Sequence, residues 1–214
     1  MDLIIDGVGA KFDATLILAH SAGQPANSVF MENITKLLTA SSVQPAIRVV
    51  RFNFPYMEQA VKEGKNRPPS RAPSLLESWR EVIKTARQML QPGEQLFIGG
   101  KSMGGRMATM VAVESKVDGV VCLGYPFHPP GKPEKLRTEH LEELNLPVLI
   151  CQGERDPFGN LSEIDNYSLP EHFSFCWLGD GDHSFKPRKS SGFTLDQNLA
   201  RASSEICLFI KRSL

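Results

Sequence analysis

The sequence predicts an α/β domain with a mainly parallel central sheet and helices on both faces, and three observations point there. Short apolar runs alternate with longer stretches of helical periodicity. The runs are apolar nearly throughout, as strands covered on both faces are. Two stretches rich in Pro and charge, 62–74 and 125–135, each follow such a run. That places them as loops at the carboxyl edge of the sheet, where open α/β sheets bind ligands.

The elements follow in order. "TLILAH" (15–20) reads as a buried strand. A helix is expected over 27–40, with Val29, Phe30, Ile34, Leu37 and Leu38 on one face. "AIRVVRF" (46–52) is the next strand. "PSLLESWREVIKTARQML" (73–90) is an amphipathic helix, with Ser74 expected as N-cap and Glu77 closing a capping box. "QLFIGG" is a strand and 103–115 a helix. "GVVCLGYP" is a strand, "TEHLEEL" a short helix, and "PVLICQG" and "HFSFCWLG" two further strands. The last helix carries Leu195, Leu199, Ala202, Ile206 and Phe209 at spacings of 4, 3, 4 and 3, a stripe made to cover a sheet. There is no internal repeat, and residues 1–214 are read as one domain.

Composition excludes several classes of function. Lys plus Arg and Asp plus Glu are 24 each, so no net field gathers nucleic acid or anionic membrane. The amino terminus "MDLIIDGVGAKFDA" does not read as a signal peptide, and no apolar run approaches the ~20 residues of a membrane span. Cys122, Cys151, Cys176 and Cys207 sit in apolar runs without a C-x-x-C pair. They read as reduced, buried thiols, the expectation for a cytoplasmic protein without structural zinc.

The decisive motif is "LFIGGKSMGGRMA" (96–108). Its GKS resembles the end of a phosphate-binding P-loop, but that motif needs a glycine five places before Gly100, where Gln95 stands. The same letters fit G-x-S-x-G between a strand and a helix, the elbow that presents a nucleophilic serine. Gly100 and Gly104 flank Ser102 where a tight turn leaves no room for side chains. A serine nucleophile needs a base, a group to orient it and an oxyanion hole. Asp156 follows the strand "PVLICQG", and His183 lies in the loop after the last strand, so Ser102, Asp156 and His183 occur in hydrolase order. Glu154 is the weaker rival for the acid. The oxyanion donors expected are the N–H groups of Met103 and Ala22, with Ser21 the alternative to Ala22 and His20 ordering its loop. Asp180 and Asp182 read as turn formers, and His128, His140 and His172 as loop or surface residues.

Substrate contacts are expected from Ser21, Lys101, Tyr56, Tyr125 and Phe127; the aromatic residues, with Phe54, fit apolar walls and loop anchors equally. Lys101, Arg106, Arg67, Arg71, Lys132, Lys135, Lys186 and Arg188 would together give an anion-friendly mouth, although Arg106 reads as packing or pairing within its helix. No metal or organic cofactor is implied. The expected partner is a small-molecule substrate.

Several long stretches resemble a known family: "LILAHSAG", "RVVRFNFPYM", "RPPSRAP", "IGGKSMGGRMA", "VCLGYPFHPPGKPEKLRTEHL", "QGERDPFG" and "DGDHSFKPRK". They resemble α/β-hydrolases of the dienelactone-hydrolase-like group. Within it they are similar to a branch of small bacterial hydrolases whose eukaryotic relatives include a testis-expressed protein and a subunit of a histone-acetyltransferase complex. The resemblance implies an α/β-hydrolase fold without a large lid, with Ser102 as nucleophile, Asp156 as acid and His183 as base. Two features depart from the wider pattern: dienelactone hydrolases proper carry cysteine at the elbow, and Ser21 stands where a glycine is usual.

Overall fold

The computed structural model describes every residue except Met1, Val8, Ser41 and Val43. Its strands are β1 (Leu3–Asp6), β2 (Ala14–Ala19), β3 (Ile47–Phe52), β4 (Gln95–Lys101), β5 (Gly119–Leu123), β6 (Val148–Gly153) and β7 (Phe173–Leu178). They form one sheet in the order β1-β3-β2-β4-β5-β6-β7. All neighbouring pairs are parallel except β1 with β3. The helices are α1 (Val29–Leu38), α2 (Pro55–Glu63), α3 (Ala72–Arg87), α4 (Met103–Ala112), α5 (Leu161–Ile164) and α6 (Leu195–Ser213).

Strand residues alternate between two cores. Ile17, Val50, Ile98 and Val120 face a layer built from α2, α3 and α4, in which Trp79 is fully buried. Leu16, Leu18, Val49, Phe97 and Val121 face the other layer, which contains α1 and α6. Two-sided burial is why these strands read as continuous apolar runs. The four cysteines are free and buried.

The chain runs from β2 to β3 on one side and then returns to place β4 on the other side of β2. The loops after β2 and β4 therefore part at their carboxyl ends and open a crevice, the place where such sheets bind ligands.

Several elements differ from the sequence expectation. β1, α2 and α5 are additional. The "TEHLEEL" segment keeps only a 3-10 turn over Glu139–Leu141. Helix α3 starts at Ala72 with Arg71 as N-cap, so Ser74 lies inside it and Glu77 pairs with Arg80 at 2.9 Å instead of closing a capping box. Pro73 explains the shift: proline belongs in the first turn, where its missing N–H costs nothing.

Candidate active site

Four loops at the carboxyl ends of β2, β4, β6 and β7 meet over the crevice. The elbow sits at the end of β4, where Ser102 has φ 53° and ψ −116°. A non-glycine residue rarely occupies that region, and such strain is characteristic of a serine held out on a strand–helix turn. The glycines around it make room. A Cβ on Gly104 would lie 2.5 Å from the Ala19 carbonyl oxygen and 2.6 Å from that of His20, and one on Gly105 would lie 2.7 Å from the Gly100 carbonyl oxygen. Only hydrogen at Gly104 lets the elbow press against the end of β2, and only hydrogen at Gly105 lets α4 press against β4.

Ser102, His183 and Asp156 are brought together. The Ser102 hydroxyl lies 2.8 Å from His183 Nε2, and His183 Nδ1 lies 2.7 Å from Asp156 Oδ2. A neutral imidazole with its proton on Nδ1 donates to the carboxylate and accepts from the hydroxyl, the tautomer a general base needs. Burial is the largest influence on His183 and lowers its pKa from the ordinary value. The bond to Asp156 raises it, and the nearby Lys101 cation lowers it again. The lowered pKa favours the neutral imidazole at His183. The Phe158 ring lies 4.2 Å from the imidazole, centroid to centroid, and holds its plane.

Asp156 is fully buried and held by three donors. Besides His183, Gln152 Nε2 donates to Oδ2 at 3.0 Å, and the Phe158 N–H donates to Oδ1 at 2.9 Å. The rival acid, Glu154, faces elsewhere and accepts the Asp180 N–H at 2.7 Å. Gln152 was not anticipated from the sequence. Its buried amide also accepts from the Tyr125 N–H at 2.8 Å and donates to the Gly159 carbonyl at 2.9 Å, tying the loops after β5 and β6 together.

The loop after β2 is fixed from β3 and α2. His20 Nε2 accepts the Phe54 N–H at 3.1 Å, so its proton sits on Nδ1 and is donated to the Ser21 carbonyl at 2.6 Å. Burial holds the His20 pKa down at about 4, so this ring stays neutral and serves as a brace. The Tyr56 hydroxyl donates to the Ala22 carbonyl at 2.9 Å. Arg51 and Asn53 bond the carbonyl and N–H of Ala26, at 2.8 Å each. Ala22 and Met103 both line the pocket with Ser102. Met103 begins α4, so its N–H has no acceptor within the helix. The Met103 N–H thus belongs to the free N–H groups at the start of α4, where the helix dipole favours negative charge.

The pocket has a volume of about 330 Å³. Ala72, Leu75, Met107, Pro126 and Phe158 form its apolar side, and Arg106 and Arg137 its charged side. Ser21, Lys101, Tyr56, Tyr125 and Phe127 do not line it. Tyr125 and Phe127 are fully buried and pack ring to ring, 4.8 Å between centroids. Lys101 is buried beneath the base. Its Nζ donates to the His183 carbonyl at 2.6 Å and lies over the Phe30 and Phe185 rings, and burial lowers its pKa to about 8. Tyr56 supports the Ala22 loop from behind. Of the expected cationic mouth Arg106 lines the pocket, while Arg67 pairs with Glu63 and Arg188 with Asp180.

A larger recess of about 700 Å³ lies between α1 and α6, and among the described residues no Ser, Cys or His lines it. Among the described residues no group of three or more His, Cys, Asp or Glu could hold a metal ion, and no helix is long and apolar enough to cross a membrane.

Comparison with solved structures gives the same architecture. An alpha-beta serine hydrolase homologue from Coxiella burnetii matches at 18% identity and TM-score 0.66, over 98% of this chain and 90% of its own. A member of the serine hydrolases without a lid from Xanthomonas campestris matches at 17% identity and TM-score 0.70, over 100% of this chain and 89% of its own. A dienelactone hydrolase from Anabaena variabilis matches at 16% identity and TM-score 0.66, over 98% and 90%. At these identities the likeness concerns the fold. The family profile of the Alpha/beta hydrolase domain matches residues 12–211, and this chain belongs to that family.

Proposed function

We propose that the protein is a serine hydrolase acting on a small carboxylic ester, thioester or lactone through an acyl-enzyme. The observation that carries this reading is the unbroken chain from Asp156 through His183 to Ser102, with the serine strained into an elbow at the edge of a pocket. Ser102 Oγ attacks the carbonyl carbon as its proton passes to His183 Nε2. The carbonyl oxygen becomes negative and accepts from the N–H groups of Met103 and Ala22. The carbon–leaving-group bond then breaks, and His183 returns the proton to the departing oxygen or sulfur. Water repeats the sequence, with His183 as base, and releases the acid. Asp156 fixes the tautomer and faces the imidazolium formed in each step.

Serine hydrolases and esterases among the structural neighbours support the reaction class. A non-enzymatic scaffold would have no chemical need for a buried carboxylate, an aligned imidazole and a strained serine together. The test is turnover of a panel of short-chain esters and thioesters by the wild type, Ser102→Ala and His183→Ala. The expected loss is about 10³-fold or more in either variant. Unchanged turnover in His183→Ala would overturn the assignment.

A further inference from the structure

The pocket beside Ser102 carries charge of one sign only. Its charged lining residues are Arg106, on the first turn of α4, and Arg137, on the loop after β5. On neighbouring loops Arg67 pairs with Glu63 at 2.7 Å, Arg155 with Asp180 at 2.9 Å and Arg188 with Asp180 at 2.5 Å, whereas Arg71, between the lining residues Ser70 and Ala72, has no ion pair among the described residues. Among the described residues neither pocket arginine has an ion pair, and Arg106 Nε is buried without any hydrogen-bond partner.

The surroundings supply no compensation. His140, beside Arg106, uses Nε2 toward the Thr109 hydroxyl at 2.9 Å, and burial, then Arg106, holds its pKa at about 4, so it is neutral. The Tyr125 hydroxyl donates to the Arg137 carbonyl at 2.8 Å and is not a counter-ion. Burial lowers the Arg137 pKa, and the Arg106 charge lowers it further. Two guanidinium groups are thus held near each other, partly out of water, with an unused buried donor. Such an arrangement is costly until an anion enters it. Carboxylate and phosphate match the planar donor fork of arginine and accept from two such groups at once.

We propose that Arg106 and Arg137 form an anion subsite, and that the substrate carries a carboxylate or phosphate group within a few bonds of the carbonyl that Ser102 attacks. This rests on the serine-hydrolase reading of the same pocket. The 330 Å³ available suits a short acyl chain ending in the anion. One arginine stands a single helical turn from the nucleophile, so the anion would orient the carbonyl as well as add affinity.

The experiment compares monoethyl glutarate with ethyl pentanoate, an anionic and a neutral ester of matched length, in the wild type, Arg106→Gln and Arg137→Gln. The wild type is expected to prefer the anionic ester in kcat/KM by roughly 10- to 100-fold, and either substitution to lower that ratio at least about 10-fold, chiefly through KM. Arg137 lies on a surface loop, so its variant remains informative if Arg106→Gln folds poorly. Labelling of Ser102 by a fluorophosphonate, with and without glutarate or inorganic phosphate, separates the two anions: the one that slows labelling of the wild type more than of the variants is the group recognised. A ratio near one in the wild type, or a ratio unmoved by both substitutions, overturns the subsite. Failure of the wild type to label or to cleave any ester would instead overturn the hydrolase reading beneath it.

Discussion

Asp156→Asn changes one oxygen for an NH₂ group in a position where every contact is specified. The carboxylate accepts from His183 and Gln152 on Oδ2 and from the Phe158 N–H on Oδ1. An asparagine has one acceptor oxygen. If it faces His183, the new NH₂ meets the Phe158 N–H, donor against donor. If it faces Phe158, the NH₂ meets Gln152 Nε2 and drives the imidazole proton from Nδ1 to Nε2, where it points at Ser102 and the base is lost. In the first orientation a buried N–H goes unsatisfied, at a cost of about 1–3 kcal/mol. In both, the charge facing the imidazolium is gone. The expected result is a fall of roughly 10³- to 10⁴-fold in kcat on a short-chain ester, and in the rate constant of fluorophosphonate labelling. The melting temperature should drop by roughly 2–10 °C. Glu154→Gln is the matched control: that side chain caps the Asp180 N–H, and its loss should change the rate by no more than a few-fold. Retention of activity within about 10-fold in Asp156→Asn would refute the reasoning.

Three further outcomes follow from the same contacts. Tyr56→Phe removes the donor to the Ala22 carbonyl and frees the loop that carries one oxyanion amide, so kcat should fall by roughly 10-fold with KM little changed; an equal rise in KM would contradict this role. The rate should fall as pH drops through the His183 pKa, which lies below the ordinary 6.5, and Lys101→Met, by removing a cation that disfavours imidazolium, should move this acid limb to higher pH in a kcat/KM profile. His20, with a folded pKa of about 4 against 6.5 unfolded, binds fewer protons folded than unfolded between those values. The stability it confers is complete above pH 6.5 and lost as pH falls toward 4. Between pH 7 and 5 the wild type should lose about 2 kcal/mol more than His20→Gln in urea titrations.

Ser102, His183 and Asp156, which the structure brings into one hydrogen-bonded chain, were legible as candidates because each is announced locally, the serine by flanking glycines and the other two by their place after strands. The rest depends on contacts across the sheet. β1 has four residues and exists because it pairs with β3, which nothing in "LIID" announces. The α2 signal was present, with Pro55 in the first turn and Tyr56, Met57 and Ala60 buried on one side, but "FNFPYM" also fits an aromatic wall. Gln152 and Arg137 lie in stretches that carry the resemblance but in no motif that gives them a role: one is a polar residue at the end of an apolar strand, and the other sits in a charged loop 35 residues beyond Ser102. Tyr125 and Phe127 fit pocket walls and loop anchors equally, because an aromatic loop residue looks the same in sequence whether it faces a ligand or anchors the loop; their full burial makes them anchors. Lys101 reads as an elbow-flanking surface charge, and only the closeness of β4 to the histidine loop places it under the base.

The most direct measurement is intact-mass analysis of the purified protein after brief exposure to a fluorophosphonate, with wild type beside Ser102→Ala and His183→Ala. The account predicts a single adduct on the wild type, mapped to Ser102, and none on either variant. A folded wild type that takes up no label, or a His183→Ala protein that labels as fast as the wild type, would contradict it.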